Sequence, residues 1–553
     1  MAVSEQHQQA LPRGLMQSRP MLISDLIEYA ARTHATREIV TRMGKDSIHR
    51  YTYADAAART RQLANALTGA GFRGGDRIAT LAMNTYRHFE VYYATSGIGA
   101  ICHTLNPRLF EEQLVFIIND AGDRCVFVDP QFVPLAERIA PRLTTVQRWV
   151  ILADEAEMPA TSLPNALSYE RFISGVSGHF DWPSFDENTA SSLCYTSGTT
   201  GNPKGVLYSH RSTVLHAFAI AMPDVVGIAA RDVIQVLVPM FHVNAWCIVY
   251  AAPMCGAKLV FMGADLSPQS THDAMESERC TISAGVPTLW LGLLDYLERT
   301  KKSISTTRTF TVGGSAAPRS MIEAFMSRHQ ARVVHCWGMT ELSPLGSVAA
   351  LQPEMEDWPL DRKLDVLTLQ GRPVYGVDLK ITDDAGHELP HDGRAAGHLK
   401  ARGLWVASAY YNGAGTDLFD ADGWFDSGDI ATIDARGYIK LTDRAKDVIK
   451  SGGEWISSIE IENQAVGHPA VAQAAVIGVA HPKWNERPLL VVVKKPGASV
   501  DREALLDHLQ DKIAKWWLPD DVVFVDQLPI NGTGKIAKVL LRQQFANHKL
   551  PTA

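Results

Sequence analysis

A stretch rich in glycine and hydroxyl side chains precedes a single lysine and could bind a phosphate chain. The twelve residues from Tyr195 to Val206, YTSGTTGNPKGV, contain three glycines, four threonines or serines and one lysine. Glycines let backbone N–H groups approach a ligand closely, hydroxyls donate further hydrogen bonds, and a lysine adds a point charge. The composition therefore predicts a loop that wraps a polyphosphate.

The neighbours of this loop argue against a flexible linker. The apolar SLCY before it indicates a strand, and VLYSHRSTVLHAF after it indicates a strand that runs into a helix. The loop is not a Walker A motif, because that motif places Lys directly after its second Gly and a hydroxyl residue after the Lys. Here Lys204 is displaced and Gly205 follows it, which argues against a GTPase or a kinase.

Short β-branched runs alternate with helical patterns over most of the chain. This alternation predicts an α/β architecture with parallel or mixed sheets covered by helices. The predicted strands are RIATLAM (77–83), CVFVD (125–129), WVILAD (149–154), VIQVLVP (233–239) and KLVFM (258–262), with a helix over HFEVYYATSGIGA. Residues 396–446 predict an antiparallel meander. Beyond a boundary at about Asp443–Lys450, the pattern predicts an α+β unit of about one hundred residues.

Composition excludes several classes of protein. The chain has 553 residues, of which 46% are apolar and 20% charged, a composition that is ordinary for a globular protein. Its net charge of −7 gives no sign of the basic surface that binds nucleic acid. The N-terminus does not resemble a secretory signal, and no run is long enough to span a membrane. The seven cysteines form no CxxC pair, so we expect buried free thiols in a cytoplasmic protein rather than disulfides or metal ligands.

Seven segments in order carry a resemblance to one superfamily. They are YTSGTTGNPKGV, GGSAAP (313–318), WGMTE (337–341), GRPVYGVDLKI (371–381), DGWFDSGDIA (422–431), DRAKDVIKSGGEWIS (443–457) and NGTGKIAK (531–538). Together they resemble the adenylate-forming superfamily of acyl-CoA synthetases, nonribosomal-peptide adenylation domains and beetle luciferases. The match covers about residues 20–545.

The resemblance implies a two-step reaction. A carboxylate attacks the α-phosphorus of ATP to give an acyl-adenylate and pyrophosphate, and a thiol then displaces AMP. Such chemistry depends on neutralising the phosphate charges and on positioning the reactants. The implied cofactors and substrates are ATP, Mg²⁺ and coenzyme A.

The resemblance also assigns roles to residues that bind the nucleotide. The implied phosphate ligands are Thr196, Ser197, Gly198, Thr199, Thr200, Gly201 and Lys204. The implied α-phosphate and Mg²⁺ ligands are Thr340 and Glu341, although a Glu after Thr could also be a helix-cap partner. The implied adenine and ribose contacts are Gly314, Ser315, Ala316, Trp337, Gly338, Asp429 and Arg444. Trp337 stands where the family usually has Tyr, and a core Trp is the alternative.

Two C-terminal segments imply a change of conformation between the two steps. Lys535, in PINGTGK where the family more often has T-x-x-G-K, resembles the lysine that bridges the carboxylate and the α-phosphate. Lys446 resembles the hinge about which the C-terminal domain rotates. The implied surface for the CoA step is Gly453, Glu454 and Trp455.

The segment PMFHVNAWC (239–247) resembles the fatty acyl-CoA ligases in particular. There the resemblance places His242 near the reacting carboxylate and Trp246 at the gate of a hydrophobic tunnel. The two lie four residues apart, on one face if the segment is helical. AGVPTLW (284–290) resembles the opposite wall, with Gly285 and Pro287 near the acyl chain. No Asp lies near Phe241–Trp246 to bind an α-amino group, which argues against an amino-acid adenylation domain.

We therefore predict an AMP-forming fatty acyl-CoA synthetase for medium- to long-chain acids. A ligase for a short or functionalised acid such as 3-methylmercaptopropionate is the alternative, followed by an aryl-acid ligase. A non-catalytic nucleotide- or acyl-binding protein of the same fold is a different class, and a luciferase is a weaker option.

The predicted architecture has two domains. A large N-terminal domain, residues 1–443, has helix-covered mixed sheets and a β-barrel-like subdomain, and a small mobile α+β domain covers residues 444–553. The predicted partners are small molecules, without nucleic acid or a membrane span. The resemblance to long-chain members adds a possible homodimer.

Overall fold

The structure is a computed structural model that describes residues 14–44, 47–196, 202–444, 447–452, 454–530 and 535–553, with the backbone alone for Glu454 and Trp455. Its strands form four sheets in the described part of the chain. The helices in that part are Ile23–Thr33, Tyr53–Gly69, Tyr86–Gly97, Glu111–Ala121, Val133–Ile139, Tyr169–Ile173, His210–Ala221, Ile248–Cys255, Pro268–Ser277, Pro287–Thr300, Arg319–Arg328, Leu360–Leu367, Ser458–Val466, Arg502–Gln510 and Lys538–Gln544.

The first sheet, called the N-terminal sheet, is parallel except at one edge. In spatial order its strands are Ala166–Ser168, Arg148–Ile151, Cys125–Val128, Arg77–Leu81, Ile101–Thr104, Ala190–Tyr195 and Gly205–Ser209. The last two are antiparallel and pair Tyr195 with Gly205, so they form a hairpin whose connection is the predicted phosphate loop. Most of these strands are short, β-branched and buried, as expected for a sheet that is covered on both faces.

The second sheet, called the central sheet, has a parallel middle and antiparallel edges. Its strands in spatial order are Arg372–Pro373, Leu345–Ala349, Arg332–Gly338, Thr309–Val312, Ile282–Gly285, Val233–Val236, Lys258–Phe261, Glu38–Arg42 and Ile48–Thr52. The strands from Arg332–Gly338 to Glu38–Arg42 are parallel to their neighbours. Parallel strands share one carboxyl edge, which is where such sheets bind ligands.

The helix Tyr86–Gly97 lies between these two sheets. Each of its residues is buried, and its N-cap Thr85 accepts a hydrogen bond from the backbone N–H of His88. Phe89 packs near Phe261 of the central sheet, whereas Val91 shares an apolar cluster with Ile78 of the N-terminal sheet. The helix therefore joins both sheets in one core, and its burial on all sides means that its charged residues need partners within the protein.

The third sheet, called the meander sheet, is antiparallel throughout. Its strands are Val377–Thr382, Ala396–Gly403, Phe425–Ile433 and Ile439–Arg444, in chain order. It starts at residue 377, about twenty residues before the predicted start of the meander, because the strand Val377–Thr382 pairs with Ala396–Gly403 across a loop. It contains the antiparallel meander predicted for residues 396–446.

The fourth sheet, called the C-terminal sheet, belongs to the α+β unit predicted at the end of the chain. Its strands are Ile449–Ser451, Glu454–Ile456, Val471–His481, Asn485–Lys494 and Asp521–Phe524. The helices Ser458–Val466 and Arg502–Gln510 cover one face through an apolar cluster that includes Ile461 and Leu505. The predicted fold class, a large N-terminal domain of mixed sheets with a small C-terminal α+β domain, is confirmed. The exact boundary at residue 443 and the mobility stay predictions.

Two further expectations concern the described residues. All seven cysteines lie among them, and each is a free thiol, five of them buried. No helix in the described ranges is long and apolar enough to cross a membrane.

Candidate active site

Four predicted site segments follow the carboxyl ends of neighbouring strands of the central sheet. PMFHVNAWC comes after Val233–Val236, the Val286–Pro287 pair after Ile282–Gly285, GGSAAP after Thr309–Val312, and WGMTE ends the strand Arg332–Gly338. Since these strands are parallel and adjacent, the segments meet at one edge. The sheet topology therefore brings together residues that lie about a hundred positions apart in the chain.

Asp429 is the centre of the predicted ribose site. It is 2% exposed, and Arg444 is its cross-strand partner in the meander sheet, with 2.8 Å between Arg444 Nε and Asp429 Oδ1. The Trp337 indole donates a hydrogen bond of 2.9 Å to the other carboxylate oxygen, Oδ2. Trp337 also packs on Gly346, where a Cβ would lie 2.5 Å from the indole. Arg444 and Trp337 together fix the carboxylate, and the Arg444 charge offsets the cost of its burial.

Glu341 is the predicted Mg²⁺ ligand, and a tyrosine that sequence reasoning missed holds it in place. Tyr410 donates a hydrogen bond of 2.5 Å to Glu341 Oε1. Burial raises the pKa of Glu341, while Tyr410, Arg444 and Lys204 act to lower it. The Lys204 ammonium lies 5.0 Å from the centroid of the Tyr410 ring, a cation–π distance. Tyr410 therefore links the phosphate loop to the predicted metal ligand.

The described ends of the phosphate loop close a hairpin. The Thr196 N–H donates 2.8 Å to the carbonyl of Lys204. Thr340 is buried next to it, since Tyr208, on the second strand of the hairpin, donates 2.6 Å to the Thr340 carbonyl. The predicted ligands Ser197, Gly198, Thr199, Thr200 and Gly201 lie outside the described residues, as do Lys446 and Gly453.

Lys535 of the C-terminal unit reaches the same place as the central-sheet loops. Gly314 has φ +84°, a conformation that favours glycine, and a Cβ there would lie 3.3 Å from Lys535 Cε and 4.0 Å from its Nζ. The same Cβ would lie 3.3 Å from Val286 Cγ1. Burial and Arg444 lower the pKa of Lys535 to about 8, and Asp429 and Glu341 act in the opposite direction. The lysine therefore lies within electrostatic range of both predicted nucleotide-binding carboxylates.

His242, predicted to lie near the reacting carboxylate, is within electrostatic range of Lys535. Burial, and secondarily the charge of Lys535, lower the pKa of His242 to about 3. The imidazole is therefore neutral at physiological pH and can donate one hydrogen bond and accept another. It borders a cavity of about 10 Å³ that is also lined by Thr104 and Tyr195, which has room for about one water molecule.

The segment after His242 is not a right-handed helix. Five consecutive residues, Val243 to Cys247, have positive φ between 46° and 65°, and the ψ values of Asn244 and Ala245 are 46° and 40°. This is a left-handed turn, which costs roughly 1–2 kcal/mol per residue for L-amino acids. His242 and Trp246 were predicted to share one face only if the segment were a right-handed helix. Because the turn is left-handed, they do not share such a face.

Trp246 is the predicted gate of the acyl site. A Cβ on Gly313 would lie 3.1 Å from Cη2 of the Trp246 indole, so the ring packs directly on this glycine. Gly285 ends the strand Ile282–Gly285, and Pro287 begins the helix Pro287–Thr300. The Gly285 carbonyl accepts a hydrogen bond of 3.1 Å from Trp290. The residues predicted for the acyl site are therefore brought together around Gly313 and Gly314. Ser315 and Ala316 lie on the loop after the strand Thr309–Val312, and Gly338 is the last residue of the strand Arg332–Gly338.

Comparisons with known proteins identify the chain. A family model described as AMP-binding enzyme matches residues 27–411, and one described as AMP-binding enzyme C-terminal domain matches residues 460–535. The chain belongs to the AMP-binding enzyme family.

Two relatives are similar over almost their whole length. A 3-methylmercaptopropionyl-CoA ligase of Ruegeria lacuscaerulensis is 49% identical over 96% of this chain and 98% of its own. A medium-chain-fatty-acid–CoA ligase of Ectopseudomonas oleovorans is 47% identical over 97% and 98%. An anthranilate CoA ligase solved with anthranoyl-AMP has a TM-score of 0.84 at 23% identity, covering 95% of this chain and 98% of its own, and shows the fold.

These findings confirm the superfamily and the enzyme class that we predicted from the sequence, an AMP-forming acid–CoA ligase. Sequence reasoning missed Tyr410, and it missed the buried Asn244, whose Nδ2 donates 2.9 Å to the hydroxyl of Ser192. Tyr410 stands in an unremarkable SAYYNG segment, but Asn244 is a single polar residue in an apolar stretch, which is a usable signal for a buried hydrogen-bond network.

Proposed function

We propose that the chain is an ATP-dependent CoA ligase for short to medium aliphatic carboxylic acids. The carboxylate attacks the α-phosphorus of ATP, pyrophosphate leaves, and the thiol of CoA then displaces AMP from the acyl-adenylate. The observation that carries this proposal is the meeting of Lys535 with the loops of Gly314 and His242 beside Asp429 and Glu341.

Lys535 supplies the charge for the first step. Because its pKa is about 8, the ammonium is mostly protonated at pH 7, and negatively charged substrates favour the protonated form further. Beside Gly314, it lies where the acid and the α-phosphate come together. There it offsets the negative charge that two anions bring to one site, a contribution that positioned charges typically make to such reactions.

His242 orients the acid without exchanging a proton. A neutral imidazole with a pKa of about 3 is a poor base at pH 7. It can donate a hydrogen bond to one oxygen of the carboxylate, which leaves the other oxygen to attack phosphorus. This division of roles assigns charge to Lys535 and orientation to His242.

Glu341 fits a magnesium ion. Mg²⁺ usually binds one or two carboxylates together with substrate phosphates and water. A buried carboxylate held by Tyr410 and close to Lys204 meets this description. When bound, the ion would neutralise phosphate charge. Thr340 and the described ends of the phosphate loop are the further candidates for phosphate contacts.

Asp429, Arg444 and Trp337 form the proposed nucleoside end. A carboxylate can accept hydrogen bonds from both ribose hydroxyls. The fixed orientation of Asp429 between Arg444 and Trp337 supports this role, because a preorganised acceptor loses little entropy on binding.

The position of Trp246 supports a short acid. Its ring lies on Gly313 and so closes the acyl side within the described residues. A relative with 49% identity is named for a short, sulfur-containing acid, which agrees with this limit. The medium-chain upper limit of the proposal agrees with a relative of 47% identity that is named for medium-chain acids. A long chain, the other end of the medium- to long-chain range that we first predicted from the sequence, is the second candidate and requires Trp246 to rotate.

The test is a product assay with ATP, Mg²⁺ and CoA across acids from acetate to palmitate, with 3-methylmercaptopropionate and benzoate. We expect AMP and pyrophosphate in equal amounts, with the highest kcat/KM among short and medium aliphatic acids. A maximum at palmitate would favour the second candidate, and a maximum at benzoate would favour an aryl-acid ligase. ADP as product, or nucleotide turnover without an acid, would contradict the proposed reaction.

A further inference from the structure

We propose that Asn244 is a positioning residue that ties the acyl-binding turn to the strand preceding the phosphate loop. The inference rests on the proposed function, because it concerns how the acid is placed relative to ATP. Asn244 touches neither reactant in this account and acts through His242, Trp246 and the strand Ala190–Tyr195.

The first observation is the conformation of the turn. Val243, Ala245 and Trp246 are held at φ of 46°, 51° and 53°, which side chains with a Cβ rarely adopt. Asn is several-fold enriched in the left-handed region, and Asn244 lies within this run at φ 51° and ψ 46°. Residues in such a conformation persist only when their surroundings hold them there, and such segments cluster at functional sites.

The second observation is what holds the turn. Asn244 is 6% exposed, and its Nδ2 donates 2.9 Å to the hydroxyl of Ser192. Its Oδ1 lies 3.2 Å from the Tyr92 hydroxyl and 3.6 Å from the Cys194 thiol. The Tyr92 hydroxyl has one proton and shares it between Asn244 and the carbonyl of Met240, which precedes His242 by two residues.

The third observation is where the partners lie. Ser192 and Cys194 belong to the strand Ala190–Tyr195, which leads directly into Thr196 and the phosphate loop. One amide therefore connects the turn that carries His242 and Trp246 to the strand that carries the phosphate loop. The length of the Asn244 side chain therefore sets the distance between this turn and this strand, and with it the separation between the acid and the phosphates.

A purely structural role for Asn244 predicts a different result from a positioning role. If Asn244 only relieves backbone strain, glycine should replace it, because glycine adopts positive φ without cost. If its side chain sets the distance between the two substrate sites, glycine should fail although the turn still forms.

The experiment compares Asn244→Gly, Asn244→Ala and Ser192→Ala with the wild-type enzyme, using acid-dependent pyrophosphate release. Asn165→Ala is the matched control, since Asn165 has a similar φ of 55° but is exposed and precedes the strand Ala166–Ser168, at the edge of the N-terminal sheet opposite the phosphate-loop hairpin. For Asn244→Gly and Ser192→Ala we expect kcat/KM for the acid to fall by about ten- to a hundredfold. The KM for ATP should stay within about twofold, as positioning requires.

The double variant Ser192→Ala/Asn244→Gly sharpens the result. If the hydrogen bond between these side chains carries the effect, the double variant should be no worse than Asn244→Gly alone. Wild-type kinetics for Asn244→Gly would overturn the inference, as would equal losses of acid and ATP binding. Should Asn244→Ala fail to fold, the glycine and Ser192 variants still decide. A wild-type enzyme without acid-dependent AMP formation would instead contradict the proposed function.

Discussion

The nucleotide side and the acyl side of the candidate site rest on different kinds of backbone. Asp429 and Arg444 are cross-strand neighbours in the antiparallel meander sheet, beside a bulge at Ile430–Ala431, and Trp337 lies at a bulge near the end of the strand Arg332–Gly338. Trp246 lies in a left-handed turn that depends on buried side-chain hydrogen bonds. Paired strands hold their residues through main-chain hydrogen bonds, whereas a strained turn is stable only in its particular surroundings. We therefore expect substitutions on the nucleotide side to act on all acids alike, and those on the acyl side to discriminate among acids.

Lys535 serves both sides, so its loss should have the largest effect. For Lys535→Met we expect adenylation to fall by about 10²–10³-fold, since a positioned charge of this kind is typically worth that much. Pyrophosphate release without CoA measures this step. Lys512→Met, an exposed lysine on the same C-terminal unit, is the control and should behave as wild type. A loss below threefold in Lys535→Met would remove this residue from the proposed mechanism.

The pH profile should report the same lysine. Because its pKa is about 8, the charged form that the reaction needs is lost as pH rises through that value. We expect kcat/KM for adenylation to fall by about tenfold per pH unit above about pH 8, since kcat/KM reports the free enzyme. His242, with a pKa of about 3, stays neutral from pH 6 to 9.5 and contributes nothing in this window. A flat profile to pH 9.5 would contradict the charge role.

Trp246→Ala should change the order of acids. Removing the indole from Gly313 opens space on the acyl side, so kcat/KM for decanoate relative to 3-methylmercaptopropionate should rise by about tenfold. The KM for ATP should not change. Trp358→Ala, a tryptophan outside the site, is the comparison. If the ratio between the two acids is unaffected, Trp246 does not limit chain length.

Trp337→Phe should have the smallest effect and should act on every acid alike. Phenylalanine keeps an aromatic ring but removes the 2.9 Å hydrogen bond to Asp429, while Arg444 remains paired. One hydrogen bond contributes about 0.5–1.5 kcal/mol, so the KM for ATP should rise about two- to tenfold. Measuring the KM for ATP with a short and with a medium acid tests whether the increase is the same for both acids. A strong dependence on the acid would break the proposed separation of the two sides.

The fold was largely predictable because local patterns decide it. The strands at Cys125–Val128 and Lys258–Phe261 are short, mostly apolar runs with no competing helical period, and they lie where the sequence predicts them. The hairpin around the phosphate loop was likewise predictable from its apolar lead-in and the strand that follows. The early start of the meander was not, since VDLKIT carries no signal for its partner.

The site was predictable in its residue types but not in its contacts. The hydrogen bond from Trp337 to Asp429 joins residues 92 positions apart, and that from Tyr410 to Glu341 joins residues 69 apart. Neither spacing is periodic, so only the tertiary fold can bring them together. The left-handed turn at 243–247 was also hidden, because Val and Trp do not favour positive φ and their conformation is imposed from outside the segment.

The central claim is that a carboxylate oxygen attacks the α-phosphorus of ATP at Lys535. The most direct measurement is the fate of ¹⁸O from a labelled acid such as 3-methylmercaptopropionate or hexanoate. The account predicts one labelled oxygen in each AMP released and none in pyrophosphate. Unlabelled AMP, or label in inorganic phosphate, would contradict it, because either result would mean that the bond forms at another atom.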